Sequence, residues 1–353
     1  MKFKRLFGIA IIVITTYLAT DQVNGQSVGK GKIVFTTRKP FRNLNGFRIT
    51  TETRRGKNKK SMLNWWQFYA YNICSINPDG TDLRQLTDNG TSRKPRWSPN
   101  GNWIAYISGL DLKESLVVMK PDGTIHKELL KRQYRIIDFW WSPDSQKILV
   151  AVEIDRPVDP IENVVVTLEG DKKGRRRMPR WTEGWYHWNP NSEVINPKRK
   201  LIEALPKEVS WPEWSPDGHW ISFVADNLLM IAEVETTSAT GRWFQQRSEP
   251  TCQNIEEWSP SGDRILFYTK VKANKPGEIC VASINQGRFV EIVNLSMMPG
   301  WDATWSPDGD WVAFISRDQR QRRVNQIFVM DTFTGQVDQI TFTNYDHFDT
   351  HWK

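Results

Sequence analysis

The chain has 353 residues, with 48 Lys and Arg against 40 Asp and Glu and a formal net charge of +8. That length admits one or two domains. Three cysteines, Cys74, Cys252 and Cys280, are too few for a disulfide framework and lack metal-ligand spacing. They read as buried thiols, with a Cys252–Cys280 bridge as the alternative. Eighteen Trp and 12% aromatic residues suit an architecture in which sheets pack on sheets.

Taken in order, residues 1–25 read as a secretory signal peptide. Lys2, Lys4 and Arg5 precede an apolar run from Leu6 to Ala19, and Val23-Asn24-Gly25 offers a cleavage site before Gln26. No cysteine adjoins that site, which argues against a lipoprotein, and no other long apolar run follows. A periplasmic or secreted protein is expected, with no transmembrane span after cleavage.

Lys32 to Thr37 then reads as a strand and matches Arg264 to Thr269. A phrase recurs five times: Trp97-Ser-Pro-Asn-Gly, Trp141-Ser-Pro-Asp-Ser, Trp214-Ser-Pro-Asp-Gly, Trp258-Ser-Pro-Ser-Gly and Trp305-Ser-Pro-Asp-Gly. The steps between the Trp residues are 44, 73, 44 and 47. Pro and Asp-Gly make a tight turn. Seven residues after each Trp comes Ile104, Ile148, Ile221, Ile265 or Val312, and two further on Tyr106, Val150, Phe223, Phe267 or Phe314. A turn followed by apolar alternation, with a period in the forties, predicts propeller blades.

Outer hairpins are predicted between the Trp phrases, at Asn72–Thr87, Ser115–Leu130, Glu278–Val293 and Gln326–Thr341, with weaker copies at Glu162–Gly170 and Asn227–Trp243. Insertions are expected at about 38–64 and 171–198, with Arg199–Leu205 as the fourth strand of the third blade. His351-Trp352-Lys353 ends where a turn and second strand should follow, so that blade takes its second strand from the N-terminus. The expectation is all-β: one six-bladed propeller over 26–353, of four-stranded antiparallel blades, closed by N- and C-terminal strands.

The Trp-Ser-Pro-Asp-Gly phrase, with Asn77-Pro78-Asp79-Gly80-Thr81, Gln85-Leu86-Thr87 and Gln339-Ile340-Thr341, resembles the TolB-like propeller repeat across nearly all of the mature chain. The resemblance implies a propeller of the bacterial envelope that binds other proteins. In the Tol–Pal system such a propeller contacts a peptidoglycan-associated lipoprotein. TolB itself carries an α/β domain before the propeller. Here only Gln26–Lys30 separates the cleavage site from the first strand, so that domain is expected to be lacking. The repeat also occurs in peptidases, and fold alone does not decide function.

A propeller peptidase would add a hydrolase domain with a Gly-x-Ser-x-Gly elbow. No such domain is expected, nor a phosphate loop. His126, His187, His219, His347 and His351 read as solvated loop residues rather than a metal site, so no catalytic or metal-ligating residue is expected. Acids cluster just before the repeat Trp residues: Asp138, Glu213, Glu256, Glu257, Asp302 and Asp349, against Lys94 and Arg96. This channel-mouth set would hold a cationic peptide segment or Ca²⁺, the one cofactor considered. Pairing with neighbouring Arg and Lys is the plainer alternative.

A basic face is expected from loops joining second to third strands in the first, fifth and sixth blades. It would comprise Arg54, Arg55, Lys57, Lys59, Lys60, Lys270, Lys272, Arg317, Arg320, Arg322 and Arg323. The functional expectation is an exported, monomeric, non-catalytic scaffold whose partner is an envelope protein or an anionic surface. Nucleic acid is not expected for an exported chain. The alternatives are a metal-dependent propeller lyase or hydrolase acting on sugars or lactones, and a module binding anionic polymer or lipid.

Overall fold

A computed structural model describes residues 29–40, 69–110, 114–153, 161–168, 172–177, 187–188, 194–195, 210–233, 243–245, 251–269, 277–286, 288–295, 299–317 and 324–353. Among them every helix or strand assigned is a strand. The repeat phrase explains why. Ser98 N donates to Trp103 O at 2.8 Å, Gly101 N donates to Ser98 O at 2.8 Å, and Ser98 Oγ accepts Trp103 N at 3.0 Å. Ser142, Ser215, Ser259 and Ser306 accept from Lys147, Trp220, Arg264 and Trp311 in the same way. A small hydroxyl thus locks each turn, and for that reason these serines are buried. Four of the turns close on glycine at φ between 70° and 78° (Gly101, Gly218, Gly262, Gly309), where a Cβ would be strained.

Six sets of four antiparallel strands can be counted among the described residues. The first joins the chain ends in the order β25 (Asp346–Trp352), β1 (Ile33–Pro40), β2 (Tyr69–Ile76), β3 (Arg84–Gln85). Ile33 lies opposite Trp352 and Val34 opposite His351, as the repeat arithmetic predicts. The second is β4 (Ser92–Trp97), β5 (Ile104–Ser108), β6 (Glu114–Met119) and the first half of β7 (Lys127–Trp141). The second half of β7 begins the third, with β8 (Lys147–Glu153), β9 (Ile161–Thr167) and β10 (Lys172–Arg177). One fifteen-residue strand therefore serves two blades, and the seven strands form one continuous sheet.

The fourth set is β13 (Ser210–Trp214), β14 (Trp220–Ala225), β15 (Leu228–Glu233) and β16 (Trp243–Gln245). The fifth is β17 (Cys252–Trp258), β18 (Arg264–Thr269), β19 (Ile279–Asn285) and β20 (Arg288–Asn294). The sixth is β21 (Trp301–Trp305), β22 (Trp311–Arg317), β23 (Asn325–Asp331) and β24 (Val337–Gln339). A small hairpin, β11 (His187–Trp188) with β12 (Val194–Ile195), lies in the second insertion.

One expectation and one alternative need correction. The fourth strand of the third blade is β10, not Arg199–Leu205, which lies outside the described residues. Sequence spacing misplaced it because β10 is a run of Lys, Gly and Arg without apolar alternation. The Cys252–Cys280 bridge is also excluded. Both thiols are free and buried, and they sit on β17 and β19, either side of β18. Two strand spacings of about 4.8 Å each exceed the ~7 Å Cα limit for a disulfide.

The core lies between blades. Phe35, Phe139, Phe223, Phe267 and Phe314 are fully buried, each contributing about 1.5–3 kcal/mol. Three repeat Trp residues rivet one blade to the preceding one, and Trp352 ties the C-terminal strand to the segment leading into β1. Trp97 Nε1 donates to Lys32 O at 3.2 Å, Trp141 Nε1 to Arg96 O at 3.2 Å, Trp258 Nε1 to Glu213 O at 3.2 Å and Trp352 Nε1 to Lys30 O at 3.0 Å. Trp214 and Trp305 are the exceptions: neither indole N–H has a hydrogen-bond partner among the described residues, and Trp214 is half-buried whereas Trp305 is buried. No helix among the described residues is long and apolar enough to cross a membrane.

Candidate functional site

The repeat places equivalent residues of the six inner strands at matching levels. One residue before the Trp stand His351, Arg96, Trp140, Glu213, Glu257 and Thr304, in blade order. Three before it stand Asp349, Lys94, Asp138, Trp211, Ile255 and Asp302. Every inner strand breaks register here, at Val34/Thr36 opposite β25 and at Arg93/Arg96, Ile136/Asp138, Ser210/Glu213, Ile255/Glu257 and Trp301/Thr304. A bulge frees backbone groups from the ladder and re-aims side chains. Four of the residues three before the Trp take positive φ: Lys94 (51°), Trp211 (54°), Asp302 (50°) and Asp349 (54°). For non-glycine residues that conformation costs on the order of 1–3 kcal/mol.

Most of the predicted acids answer this by bonding to the next blade. Glu257 Oε1 accepts Thr304 Oγ1 at 3.0 Å and the Trp305 N–H. Asp302 Oδ2 accepts Asp349 N at 3.0 Å. Asp349 Oδ2 accepts Lys94 N at 3.2 Å and Thr36 Oγ1 at 2.8 Å. Lys94 Nζ then reaches Ile137 O at 3.1 Å and Asp138 at 3.6 Å, and Arg96 reaches Asp138 at 3.1 Å and the Phe139 carbonyl. Polar contacts therefore pass from blade five through six, one and two to three. The plainer expectation, pairing with neighbouring Arg and Lys, holds for Asp138 alone; Glu257, Asp302 and Asp349 instead accept backbone N–H and Thr hydroxyl groups.

Glu213 and Glu256 stand apart. Glu213 of blade four receives no side-chain hydrogen bond or ion pair from the described residues. Glu256 receives only its own blade's Asn254, at 2.6 Å. Burial pushes the Glu213 carboxyl up to about 8; the Arg96 charge opposes this, while Glu257 and Asp138 add to it. Burial likewise pushes Glu257 to about 7, against the Trp305 and Thr304 bonds. Asp302 rises to about 6 through burial and the Asp349 charge. Glu256 lies well above the usual carboxylate range through burial and its acidic neighbours Asp302, Glu257 and Glu213. Asp138 is the contrast: burial raises it, but Arg96 and Lys94 outweigh that and hold it below its ordinary value. Carboxyls that titrate near neutrality and lack bonds are poised for a donor-rich ligand.

Two histidine expectations are corrected. His347 is fully buried, its Nε2 within 2.9 Å of Thr343 Oγ1. His351 is half-buried, and its Nδ1 is buried without a partner. Burial pushes both to about 3, so both are neutral. Neither is a loop residue, because both lie on β25. His126 and His219 are exposed, as expected. The sequence reading missed Trp211 and took His351 for a solvated residue. Counting back from each Trp, rather than scanning for acids, would have found them.

Among the described residues no group of three or more His, Cys, Asp or Glu is arranged to hold a metal. Of the basic face only Arg317 is described, exposed at the end of β22. The other ten residues assigned to that face lie outside the described residues. The letters of a nucleophile elbow do occur, at Gly25-Gln26-Ser27-Val28-Gly29. They fall beside the apolar leader run and lead into strand β1, not into the helix that such an elbow requires.

No family model matches the chain. It is 29% identical over 149 residues to a Bacillus subtilis protein named uncharacterized peptidase YuxL, covering 38% of this chain and 22% of that protein. It is 23% identical over 318 residues to dipeptidyl-peptidase 5 of Porphyromonas gingivalis, covering 78% and 44%. The chain thus spans less than half the length of these relatives. Among solved structures, TolB from Acinetobacter baumannii superposes with a TM-score of 0.57 at 14% identity, covering 92% of this chain and 67% of that one. An oligogalacturonate lyase in complex with manganese gives 0.55 at 11%, covering 75% and 83%. The chain has a TolB-like propeller fold. The expectation that it is not an enzyme is overturned by the relatives named as peptidases. The repeat phrase encodes turns and rivets, and these are common to binders and enzymes.

Proposed function

We propose that this propeller is the substrate-binding part of an exported peptide-processing enzyme and holds a cationic peptide segment at its axis. The observation that carries the reading is Glu213, a carboxyl among other acids with no bond from the described residues. The peptidase-named relatives support the substrate class. A peptide cation would supply the donor that Glu213 and Glu256 lack, and it would shift both towards the charged form. An envelope location follows from the leader-like residues 1–25 and agrees with the TolB-like fold.

The test is fluorescence anisotropy with a labelled basic peptide and an acidic peptide of equal length. The basic peptide should bind, and Glu213→Gln should weaken it roughly tenfold, the worth of one charged hydrogen bond. Glu291→Gln, on the outermost strand of blade five, should change nothing. Equal binding of both peptides, or indifference to Glu213→Gln, refutes the reading.

A further inference from the structure

Trp211 lies in blade four at the level that Asp302, Asp349 and Lys94 occupy in blades six, one and two. It is 55% exposed, a rare state for Trp among the described residues, and its backbone is held at φ 54°. Bulky residues avoid that conformation, and here it neither buries the ring nor closes a turn. Two residues on is Glu213, free of bonds from the described residues. At the level of Glu213 stands His351, whose Nδ1 is buried and unpartnered. His351, Arg96, Glu213 and Glu257 hold the same repeat position, one residue before the Trp, on the inner strands of blades one, two, four and five.

This set offers a flat aromatic face and carboxyl acceptors. A metal ion has no use for the ring, and a compact ammonium has only three donors. A guanidinium is planar, stacks on aromatic faces and presents five donors in a fork. Arg96 does not compete for the acceptors, because it is committed to Asp138 and the Phe139 carbonyl. We infer that the axial site selects an arginine side chain, with Trp211 as the specificity-determining residue. The inference rests on the peptide-binding reading above and narrows it.

Isothermal titration of the full protein with three otherwise identical peptides, carrying Arg, Lys or citrulline at one position, tests this. Arg should bind more tightly than Lys, and citrulline, neutral with the same shape, should bind weakest. Trp211→Leu should weaken the Arg peptide roughly three- to thirtyfold, with little effect on Lys. Trp211→Phe should retain part of the preference. Trp211→Gly, which relieves the positive φ, should raise the melting temperature while abolishing the preference. If Arg and Lys bind equally and Trp211→Leu affects both alike, the guanidinium inference fails while the peptide reading stands. If neither basic peptide binds, both fail.

Discussion

Removing the Trp352 side chain should cost more than removing that of Trp214, although sequence pattern makes the two equivalent. Trp352 is 3% exposed and packs with Ile33, Phe35, Trp311 and Ala313. Its indole donates to Lys30 O at 3.0 Å, and beside it Lys353 N donates to Lys32 O at 3.1 Å. Trp352 therefore fastens the blade in which the two chain ends meet. Trp→Ala at a buried, packed site costs about 3–5 kcal/mol. Each kcal/mol shifts Tm by roughly 2–4 °C in a domain of 150–250 residues, and this larger chain should fall near the lower end of that range. A fall of roughly 6–10 °C in a thermal melt is expected for Trp352→Ala, with a matching loss in urea titration at unchanged slope. Trp352→Phe isolates the indole bond and should cost about 1 kcal/mol. Trp214 is half-buried with no partner for its N–H, so Trp214→Phe should be nearly neutral. Equal losses for the two alanine variants would refute the claim that fastening the chain ends, rather than the repeat phrase itself, sets the cost.

The titrating groups set a pH window. The folded values of Glu213, Glu257 and Asp302, about 8, 7 and 6, lie above their unfolded values, so their contribution is present below about pH 4 and is lost as pH rises through those values. His347 and His351, at about 3, are depressed, so their contribution is present above about pH 6.5 and is lost as pH falls towards 3. Stability should therefore peak in mildly acidic buffer, and Glu213→Gln should flatten the alkaline limb of the Tm–pH curve; an unchanged limb counts against the burial argument. Burial also raises all three thiols, Cys74 to about 11 and Cys280 to about 12. A thiol reagent should thus find none reactive in native buffer and three in denaturant, whereas a native reading of one or a denatured reading of one would overturn the account.

The fold was largely legible because the Trp-Ser-Pro-Asp-Gly phrase carries its own mechanism. A hydroxyl ties the turn, glycine takes the positive φ, and the flanking strands alternate. Pairing of Ile33 with Trp352 could be reached by repeat arithmetic alone. The failures came where that mechanism is absent. β10 has no apolar alternation, and β7 carries two blades without a break, which no turn signal announces.

The site was legible only in part, because residue type and residue state are different facts. The acids before each Trp look alike in sequence. The bulges then divide them: Glu257, Asp302 and Asp349 receive freed N–H groups from the next blade, and Asp138 receives Arg96 and Lys94. In blade four the corresponding positions are Trp211 and Glu213, so the relay has no bulge carboxylate there. That same substitution puts an exposed ring two residues from a carboxyl that receives no side-chain bond from the described residues. A scan for charge passes over Trp211 and counts Glu213 as one acid of six. Offset from the repeat Trp makes them one feature, and that feature interrupts the otherwise continuous chain of contacts from blade five round to blade three. Among the described residues, a ligand at the axis would therefore meet Asp138, Glu257, Asp302 and Asp349 already bonded and Glu213 of blade four without a side-chain bond. Guanidinium selectivity, if measured, should thus move with substitutions at Trp211 and Glu213 and stay put for Asp302→Asn, which should lower stability instead.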